Sequence, residues 1–321
     1  MSIYKEHIDN TEINIKEIIA LVKDNIRFIL SSVFIITAIT AAITLTFDNI
    51  YRSQAILTLS NNDNSSNLSS VVGSSSGLLG SLSGNFLPDL GGNKDNAITV
   101  MKSKDFFNTL YIKNDFLPYL MATKKYDPKS LKTSIDSKQY DIKSKKWVRK
   151  VTFPKQAKPS LQEAHKFFMK SLSIVEDDKK NIIIISFDHK SGVIAKEYLE
   201  VFINEFNDYV RDKDINKAQK GIQYIQSKLK DEKINEIRNV LAAVMEKDIQ
   251  TLSLAEKTEE FVLEIIDSPY IPETKIRPKR SLLCLFAALI SGVFSTLLVF
   301  VLNLYGKRIF YKNLFFRIDN V

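Results

Sequence analysis

The chain has 321 residues, with 45 Lys or Arg against 37 Asp or Glu and a formal net charge of +8. Its 45% apolar and 26% charged residues can fill a core, which excludes wholesale disorder. A single cysteine, Cys284, excludes a disulfide framework and a Cys-based metal cluster. Three histidines, His7, His165 and His189, are too few for a multi-histidine site, so neither a metal nor a cofactor is expected.

Residues 1–27 read as amphipathic, with Ile13, Ile18, Leu21, Val22 and Ile26 set among charges. Phe28 to Phe47 then runs for 20 residues without a charge, and Ser281 to Gly306 for 26. Roughly 20 apolar residues in a helix cross a hydrocarbon core of about 30 Å, so residues 28–47 and 281–305 are predicted membrane spans. The first run is longer than the core of a signal peptide, and Thr46-Phe47-Asp48-Asn49 offers no small-residue cleavage site. Lys5, Lys16, Lys23 and Arg27 precede it, whereas only Arg52 follows before Lys94; that asymmetry predicts a cytoplasmic N-terminus. The second span carries four basic residues on each side and decides nothing. The expected organisation is a cytoplasmic segment 1–27, a large outside domain 48–280 and a cytoplasmic tail 306–321, too short to house an output domain. Ala38 and Ala42 in the first span, and Ala288, Gly292 and Thr296 in the second, recur every four residues, a spacing that permits close helix packing. Small residues are also simply frequent in membrane helices.

Between the spans, Ile50 to Leu59 reads as a strand. Six of the ten glycines fall between Gly73 and Gly92. This stretch reads either as a flexible linker or, given Val71, Val72, Leu78, Leu79, Leu82, Phe86 and Leu87, as a loop or helix packing on a neighbouring subunit. Asn96 to Tyr119 has helical spacing. Residues 124–158 hold twelve basic residues against Asp127, Asp136 and Asp141, so this segment's +9 exceeds that of the whole chain. Such a run is commonly a solvated face. As a binding surface its candidate contacts are Lys143, Lys145, Lys146 and Arg149, meeting anionic glycan or lipid head groups; nucleic acid is a poor partner outside a membrane. Trp147 to Phe153 is predicted as a strand, and Ser160-Leu-Gln-Glu163 as a capping box opening a helix to about Ser173. Asn181 to Phe187 is a buried strand. From Ser191 to about Glu260 the apolar spacing of 4, 3, 4, 3 through Ala195, Leu199, Phe202, Phe206 and Tyr209 predicts an extended helix or a broken coiled-coil-like rod. A lone rod would leave Phe202, Phe206, Ile222 and Leu241 uncovered, which predicts packing between helices of several copies in a closed ring. Phe261 to Ile266 is a closing strand. The fold expected is α+β: two membrane helices enclosing a mixed α/β base with long helices projecting from it.

No phosphate-cradling, dinucleotide-binding or HExxH motif is present. Gly73-Ser-Ser-Ser-Gly77 has the letters of a hydrolase elbow without the flanking strand and helix. His189 beside Asp188 reads as polar residues in a strand-to-helix turn, and Asp177-Asp178 as a charged turn. Cys284 reads as a small apolar residue in a span. The protein is expected not to be an enzyme.

Several segments resemble Wzz-type chain-length determinants, the bacterial polysaccharide co-polymerases. They are the first span followed by Tyr51-Arg-Ser-Gln-Ala55, the Gly/Leu-rich stretch, Ser186-Phe-Asp-His-Lys-Ser-Gly-Val-Ile-Ala195 with Ile203-Asn204 beyond it, and Val262-Leu-Glu-Ile-Ile-Asp267-Ser-Pro-Tyr-Ile-Pro272 leading to Pro278-Lys-Arg280 and the last span. Ser191-Gly192 stands where the family often has Ser-Pro, and Ser268 intervenes between Asp267 and the following proline. The family's tyrosine-kinase domain is absent, as in the branch associated with lipopolysaccharide O-antigen. The resemblance implies a bell-shaped homo-oligomer in the bacterial inner membrane, its large domain periplasmic. It would set the length of a lipid-linked polysaccharide made by a separate O-antigen polymerase. The alternatives are a capsule or exopolysaccharide export adaptor working with a separate kinase or transporter, and a two-span sensor or adhesion scaffold.

Overall fold

A computed structural model describes residues 15–60, 94–113, 117–231, 235–258 and 260–304. The chain forms two compact units, one from its segments up to Asn49 and from Arg277 onward, the other from Ile50–Ile276.

The first unit begins with α1 (Ile15–Asp24) and α2 (Ile26–Thr46), the latter within two residues of the predicted span. The second unit opens on β1 (Tyr51–Leu59), whose burial alternates strictly: Tyr51, Ser53, Ala55, Leu57 and Leu59 are all buried on one face. That is the period-two signature of a strand with one face on a core. The Gly/Leu-rich stretch lies outside the described residues. Where the sequence predicts one helix there are three: α3 (Lys94–Met101), α4 (Lys104–Lys113) and α5 (Leu117–Ala122). The break at Ser103 has a local cause, because its Oγ accepts from Phe106 N–H at 3.2 Å and caps a new helix.

Two small antiparallel hairpins follow, β2 (Thr123–Asp127) with β3 (Lys132–Ile135), and β4 (Tyr140–Asp141) with β5 (Lys146–Trp147). The predicted strand Trp147 to Phe153 is therefore corrected: only Trp147 pairs within a strand, and Val148 N–H adds one bond to Gln139 O at 2.9 Å before the chain leaves as a loop. The predicted cap is present, Ser160 Oγ accepting from Glu163 N–H at 3.2 Å to open α6 (Leu161–Ser171). Next come β6 (Leu172–Asp177), β7 (Ile182–His189), α7 (Gly192–Asp231), α8 (Asn235–Lys257) and β8 (Leu263–Asp267), and the chain returns to the first unit as α9 (Arg280–Leu304).

The main sheet is antiparallel with order β6-β7-β1-β8, placing the first strand at the centre. Against it pack the first half of α7, α4 and α6. Phe106 meets Phe202 and Phe206 edge-on at 5.4 and 5.3 Å between ring centroids, and Phe168 lies 4.9 Å from Phe187 and 5.7 Å from Phe202. The 4-3-4-3 spacing thus serves this core rather than a coiled-coil partner. The predicted rod is also corrected, because α8 runs back antiparallel along α7. Arg211 donates to Thr258 O at 2.8 Å, and Gly221 faces Asp248 so closely that any Cβ there would strike the carboxylate. At the sheet's end Ile276 N–H donates to Ile50 O at 2.9 Å.

Within the first unit, α2 and α9 pack together. The hydroxyls of Ser32 and Ser295 share a hydrogen bond, and Gly292 lies beside Val33 at ordinary van der Waals distance. Ile29, Thr44, Ser291, Ser295 and Val299 are buried there.

Candidate functional site

Three of the segments that carry the family resemblance, distant in sequence, converge at the entrance to β1. Antiparallel register sets Tyr51 opposite His189 and Arg52 opposite Asp188. The Arg52 guanidinium holds the Asp188 carboxylate through two bonds of 2.6 and 2.8 Å. Ser53 Oγ donates to Tyr270 O at 2.8 Å, which brings in the segment after β8. A Cβ on Gly192 would lie 3.2 Å from Pro272 Cγ, so glycine at the start of α7 lets that proline segment approach closely.

The turn between β7 and α7 is buried. Ser191 N–H donates to His189 Nδ1 at 3.1 Å, and Ser191 Oγ accepts from Ile194 N–H at 3.4 Å as a cap. Thr133 and Ser191 share a hydroxyl hydrogen bond of 2.7 Å, and Tyr126 sits edge-on to Tyr51 at 5.2 Å, so the β2–β3 hairpin is tied to this node. Burial pushes the His189 imidazole down to about 4. A neutral, enclosed ring that accepts from the Ser191 backbone helps to anchor the turn.

The second feature is the basic segment. Its three acids are engaged in turns. Asp127 accepts from Ser130 Oγ at 2.8 Å and Lys129 N–H at 3.1 Å, and Asp141 from Ser144 Oγ at 2.6 Å and Lys143 N–H at 3.0 Å. Asp136 accepts from Lys138 N–H at 3.0 Å. These bonds hold all three carboxyls below the usual carboxylate range. The first two turns have one design, Asp-x-Lys-Ser-x-Lys, with left-handed backbone at the fifth position: Leu131 at φ 54 and Lys145 at φ 52. The β6–β7 turn repeats the outline as Asp177-Asp-Lys-Lys-Asn181, with Asn181 at φ 55. The repeat is visible in the sequence and was the missed signal for three hairpins.

All eleven lysines between Lys124 and Lys158 are exposed. Lys143, Lys145 and Lys146, three of the predicted contact residues, sit on and beside the β4–β5 turn. Arg149, the fourth, faces inward. It makes paired 2.7 Å bonds to Glu163 and donates to Ala157 O at 2.7 Å and Gln156 O at 3.0 Å, with its guanidinium 5.8 Å from the Trp147 ring centroid. It therefore closes the base of the loop 150–156.

Phe202 and Phe206 are fully buried in the chain's own core, so they supply no uncovered surface, and the physical reason given for a ring is corrected. Ala38 and Ala42 lie on the exposed side of α2, Ala288 is half-buried, and Gly292 faces the other span. His165 packs on Phe107 at 5.2 Å and bonds Lys102 O at 3.2 Å. Among the described residues no group of three His, Cys, Asp or Glu side chains is placed to hold a metal ion. Asn207 was not singled out by sequence. Buried on α7, it accepts from Val262 and Leu263 N–H and donates to Leu263 O, at 3.1, 2.8 and 3.0 Å, fastening β8 to the helix.

The family profile described as Wzz, chain length determinant protein, matches residues 11–113, which include α2, β1, α3 and α4. The match covers about a third of the chain. Among solved structures, a full-length bacterial polysaccharide co-polymerase aligns with 94% of this chain and 100% of its own, at 12% identity and a TM-score of 0.39. So loose a superposition leaves the fold to be read from the chain's own sheet and helices. No curated protein matches. Among the described residues, two helices are long and apolar enough to cross a membrane, Ile26–Thr46 and Arg280–Asn303.

Proposed function

We propose that this Wzz-type chain is a non-catalytic regulator of the length of a lipid-linked polysaccharide of the O-antigen class. It would act in the inner membrane with residues 48–280 periplasmic and both termini cytoplasmic. The observation that carries the reading is the family match through the first span and β1, supported by the convergence of three resembling segments at one node. The basic residues ahead of the first span support the orientation.

Chain-length control by such a protein works through assembly with a separate polymerase. Small residues on the exposed side of α2, Ala38 and Ala42, are where a second copy would pack to build a homo-oligomeric ring. The experiment is a deletion strain complemented with the wild-type chain, its lipopolysaccharide displayed as a ladder. A modal length lost on deletion and restored by the gene supports the proposal. An unchanged ladder with capsule or exopolysaccharide lost from the cell surface would instead select the export adaptor.

A further inference from the structure

Among the exposed apolar side chains of the basic segment, three occupy apices. Leu131 closes the β2–β3 turn and is 50% exposed, and Ile142 opens the β4–β5 turn and is 61% exposed. Phe153 stands midway along the loop closed by Arg149 and is 96% exposed. Each is flanked by exposed lysines: Lys129 and Lys132, then Lys143, Lys145 and Lys146, then Lys150 and Lys155. None of these lysines takes part in an ion pair among the described residues. The neighbouring acids are engaged in the turns that shape the apices.

We propose that these two turns and the Arg149-closed loop dock onto an anionic lipid surface. The lysines would meet phosphate head groups, and Leu131, Ile142 and Phe153 would enter the apolar margin beneath them. Two observations select this occupant. The segment carries +9 while the chain as a whole carries +8, so the excess positive charge is concentrated here, as an anionic head-group layer would require. A soluble anionic glycan would match the lysines but gives a fully exposed phenylalanine no apolar phase; a bilayer margin provides both at once. The unit is joined to apolar helices at both ends, which keeps a bilayer within reach at high effective concentration. The proposal needs only that the chain lives in a membrane, not that it sets polysaccharide length.

The test uses the full chain in lipid nanodiscs. In a Cys284→Ala background, Phe153→Cys or Ile142→Cys carries an environment-sensitive dye, and Tyr224→Cys on the exposed side of α7 is the control. In discs containing phosphatidylglycerol, the dye at 153 and 142 should shift to the blue and be quenched by doxyl-labelled lipid, while the control should do neither. Both signals should be lost in pure phosphatidylcholine, at roughly 1 M salt, where the Debye length is about 3 Å, and on joint Lys143→Glu, Lys145→Glu and Lys146→Glu replacement. Thermal unfolding of that triple variant, expected to match the parent, separates lost docking from lost fold. Absence of shift and quenching in anionic discs overturns the proposal, as does a signal indifferent to lipid charge. The polysaccharide ladder is a separate readout, so either idea can fail alone.

Discussion

The main sheet and the basic hairpins use charge in opposite ways. In the sheet, polar side chains are spent inside the chain: Arg52 on Asp188, Ser53 on the Tyr270 carbonyl, Asn207 on three backbone groups of β8. In the hairpins the acids are fixed within turns and the lysines are left facing solvent. Charge that closes a hydrogen-bond network is part of the fold. Charge that no neighbour balances is free to meet something outside the chain, and substitution there should change behaviour without changing stability.

The contrast can be broken most severely in the aromatic core. Phe202→Ala should cost about 3–5 kcal/mol, since it empties the junction of α4, α6 and α7; a melting temperature of the detergent-solubilised chain close to wild type would refute that packing. Acid should act next. The His189 ring, lowered from 6.5 to about 4 by burial, is neutral in the fold but takes a proton in the unfolded chain. Its contribution is fully present above pH 6.5 and is lost as pH falls toward 4. At 1.36 kcal/mol per pH unit that loss reaches about 3 kcal/mol. His189→Asn should flatten the decline in melting temperature over that window, and an unchanged slope would assign it to other groups. Asn207→Ala should follow at about 2 kcal/mol, through buried backbone groups left unpaired, seen as faster exchange of the Val262 and Leu263 amides. At the small end, joint reversal of Lys143, Lys145 and Lys146 to Glu should move stability by less than about 0.5 kcal/mol. A large drop would mean those lysines belong to the fold after all.

What could be read from sequence was decided by local cause. Unbroken apolar runs gave the apolar helices α2 and α9, β-branched density gave β7, and Ser160 with Glu163 gave the start of α6. The rest depended on partners. Trp147 to Phe153 has the composition of a strand, yet β4 offers it only two residues to pair with, and Arg149 turns the chain toward Gln156 and Ala157 instead. The rod predicted from Ser191 is a hairpin because α8 packs back on α7, a pairing that nothing in its apolar spacing encodes. Of the candidate site, the lysines of the β4–β5 turn were legible from charge. The inward role of Arg149 was not, because the half of the capping box that would keep Glu163 local was taken over by a guanidinium 14 residues earlier.

The bond from Ile276 N–H to Ile50 O has a mechanical meaning. Ile50 leads out of the first span into the central strand, and Ile276 is where the chain leaves the sheet for the second. The two leads are bolted together before either reaches its helix. The second unit is thus closed on itself where its chain enters and leaves, so its two ends cannot part without breaking this bond.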